Sequence, residues 1–149
     1  MNQHQFAPHV TVACVVEDNG RFLMVEELIE GDTRFNQPAG HLEAGESLIH
    51  AAERETLEET AWEVQVTHFL GVCVFEAQNG HTYIRNTFAA KARNHTNGAL
   101  DTGIVQCHWY TREEIEQRQA LLRSPMILST IDQYLAGEKW PLAMVSHHR

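Results

Sequence analysis

The feature that most restricts what this chain can fold into is the acidic segment GHLEAGESLIHAAERETLEET at positions 40–60. Ser47 is suited to cap a helix whose small and apolar residues recur at helical spacing. The residues that would form its inner face are Leu48, Ile49, Ala52 and Thr56. The sequence therefore predicts a helix that begins after Ser47 and ends near Ala61.

Three carboxylates of this helix point in one direction. Glu55, Glu58 and Glu59 fall within an arc of about 100° because positions i, i+3 and i+4 are neighbours on a helix surface. Arg54 is placed to pair with Glu58, whereas Glu55 and Glu59 have no basic neighbour on the helix. One explanation is a solvated charged face; the other is a hard divalent cation such as Mg²⁺, which takes oxygen ligands.

Strand patterns lie on both sides of the acidic segment. β-branched runs at 9–16 and 21–28, separated by DNG, predict an opening hairpin, and a polar loop is expected over 29–41. The other predicted elements are antiparallel strands at 62–77 and 81–92, a strand at 103–111, a short helix with a Thr111–Glu114 capping box, and a last helix from Ser124 and Pro125 to Gly137. These elements favour one α/β domain over 1–149, with a mixed sheet covered by helices on both faces.

Composition limits the classes of ligand. The chain has 11 Lys and Arg against 20 Asp and Glu, and the net charge of −9 disfavours nucleic acid as a partner. No apolar run is long enough to cross a bilayer, no leader pattern precedes the first strand, and the 3 cysteines lack paired spacing, so a cytoplasmic protein is predicted. A monomer and a homodimer are equally compatible with this sequence.

The spacing of the acidic segment resembles the Nudix box of the Nudix hydrolases. The residues that carry the resemblance are Gly40, Glu46, Arg54, Glu55, Glu58 and Glu59. Outside the box, the stretch from Pro8 to Met144 resembles the NudJ-type phosphatases of bacteria. The resemblance implies a Nudix-like α/β/α sandwich and an enzyme that hydrolyses thiamine diphosphate, its hydroxymethylpyrimidine diphosphate precursor, and nucleoside di- and triphosphates.

The resemblance also implies roles for single residues. Glu55, Glu58 and Glu59 would bind Mg²⁺, or Mn²⁺ in its place, together with the backbone carbonyl of Ala39. Glu46 and Arg54 would orient these carboxylates through charge-assisted hydrogen bonds. Glu53 falls at a variable position and is expected at the surface. Three positions depart from the family pattern, namely Thr56, Ala61 and Trp62.

The resemblance gives less information about the general base and the substrate-binding residues than about the metal ligands. Glu55 and Asp101 are both candidates for the general base, although Asp101 in DTG is equally compatible with a turn residue. Arg34 and Phe35 are candidates for a phosphate contact and a stacking surface, and Phe35 suits the core equally well. Arg85 is a further candidate for the same cleft, although its place on a strand favours a solvated face. The 10 histidines lack ligand spacing and are expected to be scattered surface or satisfied polar residues, so zinc is not expected.

Three function classes fit the pattern to different degrees. Retention of all the box carboxylates favours a Mg²⁺-dependent hydrolase of small diphosphates over a binding module that senses nucleotides or ADP-ribose without cleaving them. An isomerase acting on isopentenyl diphosphate would need an additional catalytic cysteine and glutamate, and the sequence shows no clear counterpart.

Overall fold

The computed structural model describes residues 5–149. Residues 1–4, which belong to the predicted domain and to the region where no leader is predicted, lie outside the described residues. The strands are β1 His9–Asp18, β2 Arg21–Ile29, β3 Asp32–Asn36, β4 Ala39–His41, β5 Trp62–Glu76, β6 Thr82–His95 and β7 Ile104–Thr111. The helices are α1 Leu48–Thr60, α2 Arg112–Gln117 and α3 Met126–Leu135, with short 3₁₀ turns at Gln119–Leu121 and Leu142–Met144.

The strands form a mixed sheet in the order β3-β2-β1-β6-β5, with β4 added against β1 and β7 against β2. Its one parallel pair within residues 5–149 is β1 with β6, and the other pairs are antiparallel. The predicted antiparallel pairing of β5 with β6 is confirmed.

The opening hairpin forms, but its two strands separate soon after the turn. Asn19 and Gly20 both have positive φ, as a two-residue hairpin turn of the primed type requires. β1 and β2 then pair only at Glu17–Phe22 and Asp18–Arg21. Beyond this point β1 pairs with β4 and β6, whereas β2 pairs with β3 and β7. The two sets of strands are therefore joined only near the C-terminal end of β1 and are separate along its N-terminal half.

The prediction of a polar loop over 29–41 is wrong. Glu30 and Gly31 form a second positive-φ turn, so that β3 returns along β2, and β4 follows directly. The exposed Asp32 and Thr33 gave this stretch its polar character, but its second half, 35–38, is buried. A strand only a few residues long has too little alternation to be recognised by composition.

Hydrophobic clusters on the two faces of the sheet hold the helices. One face of β1 contributes Val12, Cys14 and Val16, which pack with Ala51 and Ala52 of α1. Val15 of the opposite face packs in a second cluster, whose helical members are Ile115, Ile127 and Ile131 of α2 and α3. This alternation follows the two-residue period of a strand. The fold is therefore the predicted α/β/α arrangement.

The ends of α1 match the sequence prediction. Ser47 Oγ accepts a hydrogen bond from His50 N at 3.0 Å, and the helix ends at Ala61, which is left-handed with φ 61°. Glu53 is not a free surface residue, because its carboxylate accepts the N–H of Val66 at 3.1 Å and joins α1 to β5. Within residues 5–149, no helix is both long and apolar enough to cross a membrane.

Two of the three departures from the family pattern are accommodated by local contacts. Thr56 is fully buried, and its hydroxyl donates to the carbonyl of Ala52 at 2.8 Å. Trp62 packs edge-on against Trp109 at a centroid distance of 5.7 Å. Ala61 keeps the left-handed conformation that a glycine would adopt more cheaply, at a cost of about 1 kcal/mol.

Candidate active site

A single arginine side chain organises the acidic face of α1. Arg54 Nε and Nη2 donate to the two carboxylate oxygens of Glu46 at 2.9 and 2.7 Å, and Nη2 also donates to the carbonyl of His41 at 3.0 Å. Arg54 Nη1 reaches Glu55 at 2.9 Å and the predicted partner Glu58 at 3.1 Å. The expectation that Glu55 lacks a basic neighbour is therefore wrong, because the long Arg54 side chain reaches the residue next to it.

Glu46 is held in place before the helix begins. Its Oε1 accepts the N–H of Glu43 at 2.8 Å in addition to the contacts with Arg54. The hydrogen bonds from Arg54 lower the pKa of Glu46, and the carboxylates in turn raise the pKa of Arg54. Both groups thus remain charged, and the position of the Arg54 fork is fixed on the side that faces Glu55 and Glu58.

Three carboxylates converge beside this fork. Oxygen atoms of Glu55, Glu58 and Asp101 lie within 4.8 Å of one another. Asp101 comes from the loop between β6 and β7, and its N–H donates to the Glu58 carbonyl at 3.0 Å, which fixes the loop against α1. The same residue also takes part in a turn, with Ile104 N donating to its carbonyl at 3.1 Å, so both readings of Asp101 fit the structure.

Gly40 allows the Glu55 carboxylate to lie against the backbone of β4. A Cβ atom at position 40 would be 2.1 Å from the carboxyl carbon of Glu55, which is far below van der Waals contact. Any side chain here would displace the carboxylate. The glycine is therefore required by this close approach rather than by a special backbone angle.

Glu59 lies outside the three-carboxylate cluster. It is buried on the sheet side of α1, and its Oε1 accepts the N–H of Ala39 at 2.8 Å. Burial raises the pKa of Glu59 to about 8, and the hydrogen bond from Ala39 only partly opposes that rise. The structure thus gives the N–H of Ala39 a defined partner, while metal binding by its carbonyl stays a prediction.

The negative charge of Glu55, Glu58 and Asp101 is only partly balanced by the neighbouring Arg54. Burial raises the pKa of Glu55 despite the opposing hydrogen bond from Arg54, and the charges of Glu58 and Asp101 raise it further. Carboxylates that repel one another in this way are stabilised by a cation between them. The donors are carboxylate oxygens, which are the ligands that Mg²⁺ prefers. These residues therefore fit the predicted metal.

A cleft of about 740 Å³ runs beside Glu59 and is lined by both charged and aromatic side chains. Its lining includes Ala39 and Gly40, together with Tyr83 and Arg85 of β6. Tyr83 and Arg85 share one face of the strand, as their separation by two residues predicts. The cleft therefore joins part of the acidic site to a wall that can contact a larger ligand.

Arg85 is buried, so the reading of a solvated strand face is wrong. Its Nη2 donates to Gln37 Oε1 at 2.8 Å, and its buried Nε has no hydrogen-bond acceptor among the described residues. Burial lowers the pKa of Arg85 to about 10, and the nearby charge of Arg123 contributes to that shift.

The structure does not bring Arg34 and Phe35 to the cleft. Phe35 is 6% exposed and packs in the core cluster on the α2 and α3 face of the sheet, with the Tyr110 ring edge-on at 6.0 Å. Arg34 is half-exposed and contacts the carbonyl of Thr33 at 2.9 Å and the carboxylate of Asp32 at 3.9 Å. Of the two alternatives for Phe35, its burial supports the core.

Two charged residues of the cleft were not predicted from the sequence. Glu27 and Arg123 line it and form an ion pair at 3.1 Å. Gln37, which accepts the hydrogen bond from Arg85, was not predicted either. Glu27 interrupts an apolar strand, so a buried charge could have been suspected there. Arg123 precedes Ser124 in a connection between helices, where no local signal distinguishes it from a surface arginine.

Three histidines are also less scattered than the sequence suggested. His41 Nε2 and His9 Nδ1 are 3.3 Å apart, and the rings of His9 and His81 lie 4.9 Å apart. His9 stacks on Tyr83 at 5.1 Å. Since His41 and Tyr83 line the cleft, this aromatic group forms part of its rim.

The fold and the acidic site agree with comparisons to known proteins. The NUDIX domain profile matches residues 7–128 of this chain. The chain therefore belongs to the Nudix hydrolase family, and it is a hydrolase.

Two named relatives and one solved structure match this chain over most of its length. Phosphatase NudJ of Escherichia coli K12 is 43% identical over 141 residues, which cover 94% of this chain and 92% of that protein. Phosphatase NudJ of Shigella flexneri gives the same values. A NUDIX hydrolase from Nitrosomonas europaea superimposes with a TM-score of 0.92 at 40% identity, over 95% of this chain and 98% of that one. The chain thus resembles phosphatase NudJ along most of its length.

More distant structures agree in fold. A UDP-X diphosphatase has a TM-score of 0.73 at 18% identity, covering 93% of this chain and 68% of that one. An Ap4A hydrolase from C. elegans has a TM-score of 0.66 at 22% identity, covering 87% and 98%.

Proposed function

We propose that this hydrolase cleaves small diphosphates in a Mg²⁺-dependent reaction that releases phosphate. The proposed substrates are thiamine diphosphate, hydroxymethylpyrimidine diphosphate, and nucleoside di- and triphosphates. The observation that carries the proposal is the convergence of oxygens of Glu55, Glu58 and Asp101 within 4.8 Å. The Glu55 carboxylate lies against Gly40, which lines the cleft. The likeness to phosphatase NudJ supports release of inorganic phosphate.

The metal would be held by the carboxylates of Glu55, Glu58 and Asp101, which converge in the structure. Glu59 and the carbonyl of Ala39, which the family resemblance implies as ligands, would complete its coordination from the side of β4. Mg²⁺ supplies positive charge for the phosphates and makes a nearby water more acidic. Mn²⁺ suits the same oxygen donors.

The protein's own groups would position the reactants. Arg54 holds Glu55 and Glu58 through its Nη1 atom, while Glu46 fixes the other edge of the guanidinium. This arrangement limits how far the carboxylates move when a cation binds between them. Arg85 in the wall of the cleft would neutralise part of the charge of the substrate.

A carboxylate near the attacking water would accept its proton. Glu55 is one candidate, because burial already raises the pKa of its carboxyl group and so increases its affinity for a proton. Asp101 is the other, since it reaches the same cluster from an exposed loop. Because both carboxylates also belong to the proposed metal cluster, each is replaced by the matching amide and kcat is measured at saturating Mg²⁺, where loss of the base still lowers the rate.

The proposal is tested by phosphate release from the proposed substrates, with ADP-ribose and a coupled phosphatase for comparison. Wild-type protein should turn over the diphosphates with Mg²⁺ and lose activity with EDTA. The Glu58→Gln variant should be inactive, whereas Glu63→Gln, an exposed glutamate on β5, should match wild type. No metal-dependent turnover on any diphosphate, or full activity of Glu58→Gln, would contradict the proposal.

A further inference from the structure

Arg85 is a buried cation whose partner is not an anion. The residue is 8% exposed, and the hydrogen bond from its Nη2 goes to the neutral amide oxygen of Gln37. Its Nε is buried without an acceptor among the described residues. A guanidinium removed from water is costly unless it is paired, so this environment favours a ligand that brings negative charge.

A second arginine reaches the same cleft from a different part of the chain. Arg123 precedes α3, and its backbone N–H donates to the Phe35 carbonyl at 2.9 Å, which fixes it beside β3. Its guanidinium contacts Glu27 at 3.1 Å, and the Arg123 side chain is 47% exposed. The charges of Arg123 and Arg85 are close enough for Arg123 to lower the pKa of Arg85.

Three carboxylates, Glu27, Glu59 and Glu76, line the same cleft as the two arginines. Glu27 pairs with Arg123, and its charge also raises the pKa of Glu59, which is joined to Ala39 of β4. The cleft therefore presents charges of both signs, and a metal–diphosphate complex also carries both charges in one ligand.

We propose that Arg85 and Arg123 form a phosphate subsite of the cleft, in which Arg123 exchanges its contact with Glu27 for a phosphate oxygen of the substrate. The inference deepens the proposed function and rests on it for the identity of the ligand. The planar guanidinium fork matches two oxygens of one phosphate group, which a lysine cannot reproduce. Glu27 holds Arg123 when the cleft is empty and therefore competes with an incoming phosphate.

Competition by Glu27 predicts effects of opposite sign in two variants. The probe is inorganic pyrophosphate, titrated calorimetrically into metal-free protein in the presence of EDTA. Arg123→Gln should weaken binding at least ten-fold, whereas Glu27→Gln, which frees Arg123, should strengthen it at least three-fold. Arg93→Gln, an exposed arginine on the far part of β6, serves as the matched control and should bind as wild type does.

A merely structural ion pair would not give this result. Loss of either partner would then disturb the cleft in the same direction, so that Arg123→Gln and Glu27→Gln would both weaken binding or both leave it unchanged. Either outcome overturns the subsite. Melting temperatures check that the variants are folded, and Arg123→Gln is the primary variant because its side chain is half-exposed.

Steady-state kinetics separate failure of the subsite from failure of the proposed function. On the best diphosphate with Mg²⁺, Arg123→Gln and Arg85→Lys should raise KM at least ten-fold and change kcat less than three-fold, which is the pattern of lost ground-state binding. Wild-type turnover with unchanged KM in both variants overturns the subsite and leaves the proposed function intact. If wild type cleaves no diphosphate, the proposed function fails, and the calorimetric experiment still decides whether the arginines bind phosphate.

Discussion

The Glu59→Gln substitution should raise the free energy of unfolding and lower the turnover of substrate. Glu59 is 8% exposed, and burial raises the pKa of its carboxyl group from 4.5 to about 8 in the metal-free protein. Glutamine has nearly the same shape and keeps an oxygen that can accept the N–H of Ala39. The substitution therefore removes a buried group that can become charged, without removing the hydrogen bond at 2.8 Å.

The pH dependence of this effect follows from the raised pKa. Between pH 4.5 and about 8 the folded protein holds a proton on Glu59 that the unfolded chain has lost. The free energy of unfolding therefore falls as pH rises through this window, and the contribution of Glu59 is complete only below pH 4.5. At about 1.4 kcal/mol for each pH unit, the loss is several kcal/mol, with about 5 kcal/mol as the upper bound.

The assay is urea unfolding of metal-free wild type and Glu59→Gln at pH 5 and at pH 8. The variant should be close to wild type at pH 5 and more stable by several kcal/mol at pH 8. Turnover with Mg²⁺ should fall by at least about 100-fold, because a predicted ligand is lost. The exposed Glu63→Gln serves as the control. A stability difference that is the same at both pH values would refute the assignment of Glu59 as a buried, mostly protonated carboxylate.

Three further substitutions test the supporting structure. Arg54→Lys keeps the charge but loses the fork that contacts Glu46 and Glu55, and kcat should fall at least about ten-fold with a loss of about 1–3 kcal/mol in chemical unfolding. Gly40→Ala places a methyl group 2.1 Å from the Glu55 carboxyl carbon. Calorimetry should therefore show weakened Mg²⁺ binding, and the protein should lose about 1–3 kcal/mol of stability. A variant that binds Mg²⁺ as tightly as wild type would contradict the close approach. Ser47→Ala removes the helix cap at 3.0 Å and should lower the melting temperature by about 2–4 °C with turnover retained, whereas an unchanged melting temperature would show that the cap is dispensable.

Local patterns allowed much of the fold to be predicted from sequence. The cap at Ser47, the capping box of Thr111 and Glu114, and the end of α3 before Gly137 each depend on a few neighbouring residues, and all three are present. The pairing of β5 with β6 also follows from a short turn between two long strands. The sequence did not predict β3, because the residues at its start are polar and the strand forms through its pairing with β2.

The candidate site was predictable where its residues share one helix. Glu55 and Glu58 are one turn of α1 apart, so their proximity follows from helical geometry alone. The positions of Arg85 and Arg123 depend on contacts with β3 and Gln37, which are distant along the chain. Burial of a polar strand residue by tertiary packing has no local signal, and for this reason the sequence favoured a solvated face for Arg85.

The most direct test of the central claim is to locate a metal ion in crystals of this protein soaked with Mn²⁺, using anomalous scattering. A strong peak is expected between the carboxylates of Glu55, Glu58 and Asp101, at about 2.0–2.3 Å from their oxygens. The Glu58→Gln variant should lose this peak under the same conditions. A fully occupied peak elsewhere on the surface, with none at this cluster, would contradict the assignment of the metal site.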